Sequence, residues 1–195
     1  MKLVFKIEPQ KQPLEYTLAA AKYERTWMQY QASILSALHK HTGLRFKQRR
    51  ITVRMWEGAS RAGNKFKPME LSVKDASYGD ADVLCTIAHE LAHRLVIGNG
   101  IEPLYGGPKA NYYMHRHIYL FLYDVLVDVA GKAVADGEVR LETEMSRPLY
   151  GKAWRWALAM TYEERQATFA RLKKRYKAGS ASSTKKVRRQ LTPAA

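Results

Sequence analysis

A single cysteine, Cys85, stands in 195 residues, which excludes an intramolecular disulfide framework and any zinc module built from cysteines alone. No apolar run approaches the length of a membrane span; the most apolar stretch, IYLFLYDVLVDVAG, carries two Asp. The opening MKLVFKIEPQ mixes Lys and Glu among its apolar residues, unlike a secretory signal. These absences lead to the expectation of an intracellular, cytoplasmic protein with no membrane partner. There is no internal repeat and no linker-like stretch before Gly179. Acidic residues are missing from one region: from Arg171 onward there are nine Lys/Arg and no Asp or Glu.

What is present points to one globular unit. With 46% hydrophobic residues and four Trp, the chain has the apolar content of a folded domain, and its length suits one good core. The net charge of +15 is unevenly placed: the segment from Arg171 supplies +9, and the remainder sets 24 basic against 18 acidic residues. Such a basic appendage has two readings. It attracts nucleic acid or another polyanion without sequence specificity, or it is a solubilising, poorly ordered end.

Periodicity predicts an α+β domain over 1–178 followed by a basic tail over 179–195. LVFKI reads as a short strand. Between Pro13 and Gly43 there is neither Pro nor Gly, and Trp27, Tyr30, Ile34, Leu35 and Leu38 fall at helical spacing, so 14–42 reads as a long amphipathic helix. ITVRMWE (51–57) and MELSV (69–73) read as strands. Asp80 is the expected N-cap of a helix over 81–97 that stops at Gly98-Asn99-Gly100. An apolar helix is predicted over 111–130, then a helical stretch to Met145 broken near Asp136-Gly137, then a short helix over 153–159. Thr161-Tyr162-Glu163-Glu164 is a capping-box pattern opening a last helix to about Lys177.

The sharpest signal is TIAHELAHRL (86–95). In a helix, residues four apart share a face, so His89 and His93 aim two imidazoles at one point, as two ligands of a tetrahedral Zn²⁺ require. Glu90, one residue on, is rotated off the pair and is better placed to hold the metal-bound water than to ligate. Zinc lowers the pKa of that water, and Glu90 takes its proton and passes it on. Leu84, Ile87, Leu91 and Leu95 form the apolar face that seats the helix. Cys85 lies one turn before His89 on the same face, where it could approach the metal, but reads rather as a small buried residue.

A catalytic zinc site needs a third protein ligand. His39 and His41 end the first predicted helix and read as surface residues favoured by its dipole. His115 and His117 remain. His115 shares a stripe with Ile118, Leu122 and Val125, the side that must pack on the domain, which favours it; His117, aligned with Phe121, Asp124 and Asp128, is the alternative. Asp124 or Glu102 are carboxylate alternatives. Asp124 or Asp128 could instead fix a ligand tautomer, or simply form a polar helix face. Tyr105, Tyr112 and Tyr113 are candidate oxyanion donors.

AHELAHRL is similar to the HExxH helix of zincin metallopeptidases. A long helix, two strands, the HExxH helix and a helix-borne His resemble the minimal zincins, among them SprT-like and related small bacterial and phage metallopeptidases. HRHIYLFLYDVLVDVAG followed by AWRWALAMTYEERQ resembles a phage-associated metallopeptidase group. The resemblance covers roughly 45–165 and implies a small sheet with a long N-terminal helix, an HExxH helix, a ligand-bearing helix and C-terminal helices. It implies zinc on His89, His93 and a third ligand, Glu90 as general base, and an extended peptide lying along the strand at 69–73. The sequence departs from two relatives. It lacks the third His of HExxHxxGxxH, which excludes the metzincin arrangement. It also lacks the His-Gly pair and Cys-rich ribbon of SprT-like proteins. The expected activity is zinc-dependent peptide hydrolysis, with a protein or peptide substrate. The alternative is a nucleic-acid-associated protein with a structural or degenerate zinc site.

Overall fold

Pro13 and Gly43 bracket a stretch free of helix breakers, and one helix fills it in the computed structural model: α1, Leu14–Thr42. Gly43 adopts φ 64°, where a side chain is disfavoured, and its N–H closes the helix on His39 O at 2.8 Å. The structure describes residues 1–6, 14–63, 67–101, 107–145 and 148–190; the side chains of 107–109, 145 and 178–190 lie outside the description.

Helix α1 links β1, Lys2–Lys6, to β2, Arg50–Trp56, which lie parallel with Leu3 opposite Ile51. Parallel neighbours need a long crossover, and α1 supplies it. β3, Met69–Ser72, adds on the far side of β2, again parallel, giving the order β1-β2-β3. Alternation along β2 buries Ile51, Val53 and Met55 while its intervening residues stay partly exposed, as the sequence pattern predicts.

The outer edge of β3 is occupied. Arg61 exchanges both backbone hydrogen bonds with Glu70, at 2.8 and 2.9 Å, in an antiparallel bridge. The Ser72 N–H donates to Ser60 Oγ at 2.9 Å, and the Tyr23 hydroxyl donates to Ser72 O at 3.2 Å. β3 therefore does not offer the free edge expected for an extended peptide; residues 60–61 stand in its place.

Helix α2, Asp80–Gly98, starts one residue earlier than predicted, with Gly79 as N-cap in place of Asp80. The Asp82 carboxylate accepts the Gly79 N–H at 2.9 Å, and both Asp80 and Asp82 lie in the first turn, where negative charge complements the helix dipole. Val83, Ile87, Leu91, Leu95 and Val96 are essentially sealed from solvent. Each such aliphatic side chain contributes roughly 1.5–3 kcal/mol by leaving water, so α2 is anchored as the core helix of the domain.

Helix α3, Gly107–Ala130, begins before the predicted 111, and Gly131 at φ 87° turns the chain into α4, Lys132–Met145. The break expected at Asp136-Gly137 is absent. A helical glycine costs only about 1 kcal/mol against alanine, and Ala135 and Glu138 on either side are buried by packing. Helix α5, Pro148–Leu158, opens five residues ahead of the prediction, with Pro at the first position, where its missing N–H costs nothing. A Cβ at Gly151 would meet Thr143 Cγ2 at 3.2 Å, so this glycine lets α5 approach α4. The capping box at Thr161 forms: its N–H donates to Glu164 Oε2 at 2.8 Å, and Glu164 N–H donates to Thr161 Oγ1 at 3.3 Å. Helix α6, Tyr162–Gln190, runs through Gly179 and beyond the expected end at Lys177. No described helix is long and apolar enough to cross a membrane.

Candidate metal centre

Two elements of the core meet at three imidazoles. Helix α2 presents His89 and His93 one turn apart, their Nε2 atoms 3.1 Å from each other. Helix α3 brings His115 against both, with ring centroids 5.3 Å from His89 and 4.7 Å from His93. One ring nitrogen from each of the three lies within 4.8 Å of the others, and all three residues are buried. Two ligands held about 2.0–2.1 Å from a tetrahedral Zn²⁺ stand roughly 3.3 Å apart, so the cluster has the dimensions of a metal site.

The far nitrogens fix the tautomers. His89 Nδ1 lies 3.1 Å from Glu142 Oε1, and His115 Nδ1 lies 2.7 Å from the Asn111 carbonyl. Each contact holds a proton on Nδ1 and leaves Nε2 for the cluster, as ligating histidines require. Burial, together with the neighbouring imidazoles, holds His93 well below its ordinary value, so it is neutral and able to ligate. Burial alone would lower His89 too, but the Glu142 carboxylate outweighs it and raises His89 to about 9.

Glu142, on α4, was not among the residues singled out by sequence. Its Oε2 accepts the Tyr119 hydroxyl at 2.6 Å and the Trp154 indole N–H at 2.5 Å, while Tyr119 and Trp154 stack at 3.7 Å. Those donors and His89 hold the carboxyl below its usual range despite burial. Asp124 and Asp128 do not touch the cluster. Asp124 takes the Arg165 guanidinium of α6, and Asp128 takes Lys40 and His41 of α1. Each faces a cation on a neighbouring helix, which the periodicity of α3 alone does not reveal.

Of the other candidates, His117 points away from the cluster. It is buried against Tyr176 of α6, with ring centroids at 5.8 Å, and among the described residues its Nδ1 has no hydrogen-bond partner. Burial and the charges of Arg116 and Arg175 bring it down to about 4. His39 is exposed, whereas His41, expected at the surface, is buried with its Nε2 2.8 Å from Asp128. Cys85 is a buried free thiol outside the three-imidazole set, as expected of a packing residue. Tyr112 and Tyr113 lie near each other and near Arg116, not along the site. Tyr150 of α5 stacks on His115 at 4.0 Å, and Tyr119 lies edge-on to both His89 and His115. Glu102 and Tyr105 fall outside the described residues.

Glu90 turns off the imidazole pair and lines the same cleft, a cavity of about 630 Å³. Burial pushes its carboxyl up to about 7; nearby Glu142 and Asp75 add to this, and His89 opposes it. Such a group exchanges a proton near neutral pH. The opposite wall is Trp56 and Ala59–Gly63, with the Arg61 guanidinium 4.1 Å over the Trp56 ring. Arg94, next to His93 on α2, fastens this wall: it donates to Ala62 O and Lys67 O at 2.9 Å each, and to Gln48 Oε1 at 2.9 Å. Gly63 makes the approach possible, because at φ 61° an added Cβ would lie 2.3 Å from Pro68 O.

The arrangement can hold a metal ion on three nitrogens, leave one side of it facing a cleft, and move a proton at Glu90. Comparison with protein families, with curated proteins and with solved structures finds no match to the chain.

Proposed function

We propose that this protein is a zinc-dependent peptidase of the minimal zincin type. The carrying observation is the convergence of His89, His93 and His115 beside a buried carboxylate, Glu90, in one open cleft. The donor set suits zinc: three imidazoles, two with tautomers fixed by Glu142 and Asn111, fit a tetrahedral catalytic site with one position left open. A Zn²⁺ ion there would supply Lewis acidity, acidifying water and polarising a carbonyl. Glu90, a buried carboxylate lining the same cleft as the three imidazoles, would accept a proton from the attacking water and return it to the departing amine. Helix α2, sealed in the core, keeps Glu90 and both its histidines in fixed geometry, so little reorganisation accompanies the reaction. The segment 59–62, standing outside β3, borders the cleft where a peptide would lie.

The test pairs metal content with cleavage of an unfolded protein such as casein. Wild type binds about one zinc per chain, and Glu90→Gln keeps it while losing on the order of 10²–10⁴-fold in turnover. Retained activity in Glu90→Gln, or no zinc uptake by wild type, would remove the proposal.

A second reading, polyanion binding, has one observation in its favour. Helix α6 carries no acidic residue after Glu164, and its basic residues continue through Arg189. Lys173 donates to Thr42 O at 2.5 Å and Tyr176 packs near His117, so α6 is anchored on the domain up to that point. Removing 178–195 spares those contacts. On this reading it abolishes a salt-sensitive affinity for single- or double-stranded oligonucleotides. Binding that is absent in wild type, or insensitive to salt, counts against it.

A further inference from the structure

Residues 44–50, between α1 and β2, form a ribbon with a regular division of side chains. Leu44, Phe46 and Gln48 are half-buried, while Arg45, Lys47, Arg49 and Arg50 are exposed. The backbone of this ribbon is fastened along its length. The Leu44 N–H donates to Thr42 Oγ1 at 3.0 Å, and Leu44 O meets His39 Nδ1 at 3.0 Å. Asn99 Nδ2 donates to Arg45 O at 3.1 Å, and the Lys2 N–H donates to Arg49 O at 2.9 Å. Four cations thus stand on a fixed frame, and among the described residues none of them has a carboxylate partner.

The fold itself has no use for such a row. Arg50 pairs in register with Lys2, a like-charged neighbour across two strands, which is an unfavourable arrangement. Helix α6 docks beside the ribbon through Lys173, on Thr42 O at 2.5 Å, and brings exposed Lys174 and Lys177 instead of acids. A repeated row of cations suits a repeated row of phosphates.

Beside the row lies a groove of about 640 Å³, lined by none of the residues of the metal cleft. Its apolar lining includes Leu38, Leu44, Leu95 and the Phe46 ring, and its ionisable residues are His39, Arg45 and Arg49. Among the described residues no Asp or Glu lines it. An apolar groove rimmed by cations fits a flat, uncharged ring flanked by anionic groups, which is the chemistry of a nucleotide. Phe46 offers a face for stacking, and the guanidinium groups of Arg45 and Arg49 take phosphates or stack in turn. A base inside a duplex is held in its stack, so the groove admits an unpaired one.

We infer that the 44–50 ribbon and this groove bind single-stranded nucleic acid, with phosphates on Arg45, Lys47 and Arg49 and a base against Phe46. The inference stands apart from the peptidase reading. It goes beyond the polyanion reading above, because the site lies on the body of the domain and not on α6 past Lys177.

Fluorescence anisotropy of the whole chain with a short labelled oligothymidylate, over a salt series, tests it. Arg45→Gln, Lys47→Gln and Arg49→Gln together change exposed side chains only, so circular dichroism should be unaltered. Each single-strand phosphate contact contributes about 0.7 to the slope of log K against log salt, so the triple variant should be shallower by roughly 2. Phe46→Leu keeps an apolar side chain but removes the ring, and should weaken binding about five- to a hundredfold at an unaltered slope. The matching duplex should bind less tightly and be indifferent to Phe46→Leu. Oligouridylate measured in parallel tells RNA from DNA.

An unchanged slope in the triple variant overturns the site. So does single-strand binding that ignores Phe46→Leu, a duplex bound as well as the single strand, or equal affinity for poly-glutamate, which carries charge without bases. Lys185→Gln, Lys186→Gln, Arg188→Gln and Arg189→Gln together separate the two polyanion readings. Affinity lost there and kept in the ribbon variant assigns the binding to α6 and overturns the ribbon site. The opposite result upholds the ribbon site and removes the α6 reading.

Discussion

Nδ1 of His89 lies 3.1 Å from Oε1 of Glu142, across the interface between α2 and α4. This contact makes the imidazole cluster depend on a helix that carries none of its ligands. Because Glu142 also receives Tyr119 and Trp154, the orientation of His89 is tied to the packing of α3 and α5 as well.

Glu142→Gln should therefore weaken zinc binding by about 10–100-fold, the usual effect of removing an outer carboxylate from a ligating histidine. The amide can still accept from Tyr119 or Trp154, so the fold should persist. Competition for zinc with a chelating dye measures the change, and circular dichroism checks the helices. Unaltered affinity would mean that His89 is oriented by packing alone.

Substitution of the two histidines on α3 should have opposite consequences. His115→Ala should strip the protein of tightly held zinc, because it removes one of three converging ligands. His117→Ala should keep the metal and lower stability by roughly 1–3 kcal/mol, the common range for a buried truncation, since His117 packs beneath Tyr176. Metal analysis beside urea unfolding of both variants gives the answer. Zinc loss from His117→Ala with zinc retained in His115→Ala would reverse the assignment.

The sequence made some of this architecture legible and hid the rest for physical reasons. Helix α1 was readable to the residue because Pro13 and Gly43 act locally on the backbone. His89, Glu90 and His93 were readable because their spacing within one helix fixes their mutual geometry. His115 was favoured over His117 by the apolar stripe of α3, and the structure brings His115, not His117, to the cluster. The direction of α4 was not readable. Glu138 and Glu142 are two acids at helical spacing, a pattern unfavourable when both are ionised that could have flagged them, but which way they face is decided by packing across helices. The antiparallel course of residues 60–61 outside β3 was hidden for the same reason, since one bridge and a few loop contacts leave no periodic trace.

Asp124 and Arg165 form a well-enclosed ion pair away from the imidazole cluster, and their test separates fold from function. Arg165 Nη2 donates to Asp124 Oδ1 at 2.7 Å and Oδ2 at 3.0 Å, with side-chain exposures of 8% and 15%, while Nη1 donates to Met160 O at 2.9 Å. Removing one partner of such a pair strands the other charge in a poorly solvated place, which costs about 3–5 kcal/mol. Asp124→Leu and Arg165→Leu should each destabilise the zinc-loaded protein by an amount in that range. The double variant should be much less damaged than the two combined, because neither charge is left behind. Zinc affinity should be unchanged throughout, since Asp124 contacts α6 and not the cluster. Additive losses would show that the two side chains act separately, and a parallel loss of zinc would return Asp124 to the metal site.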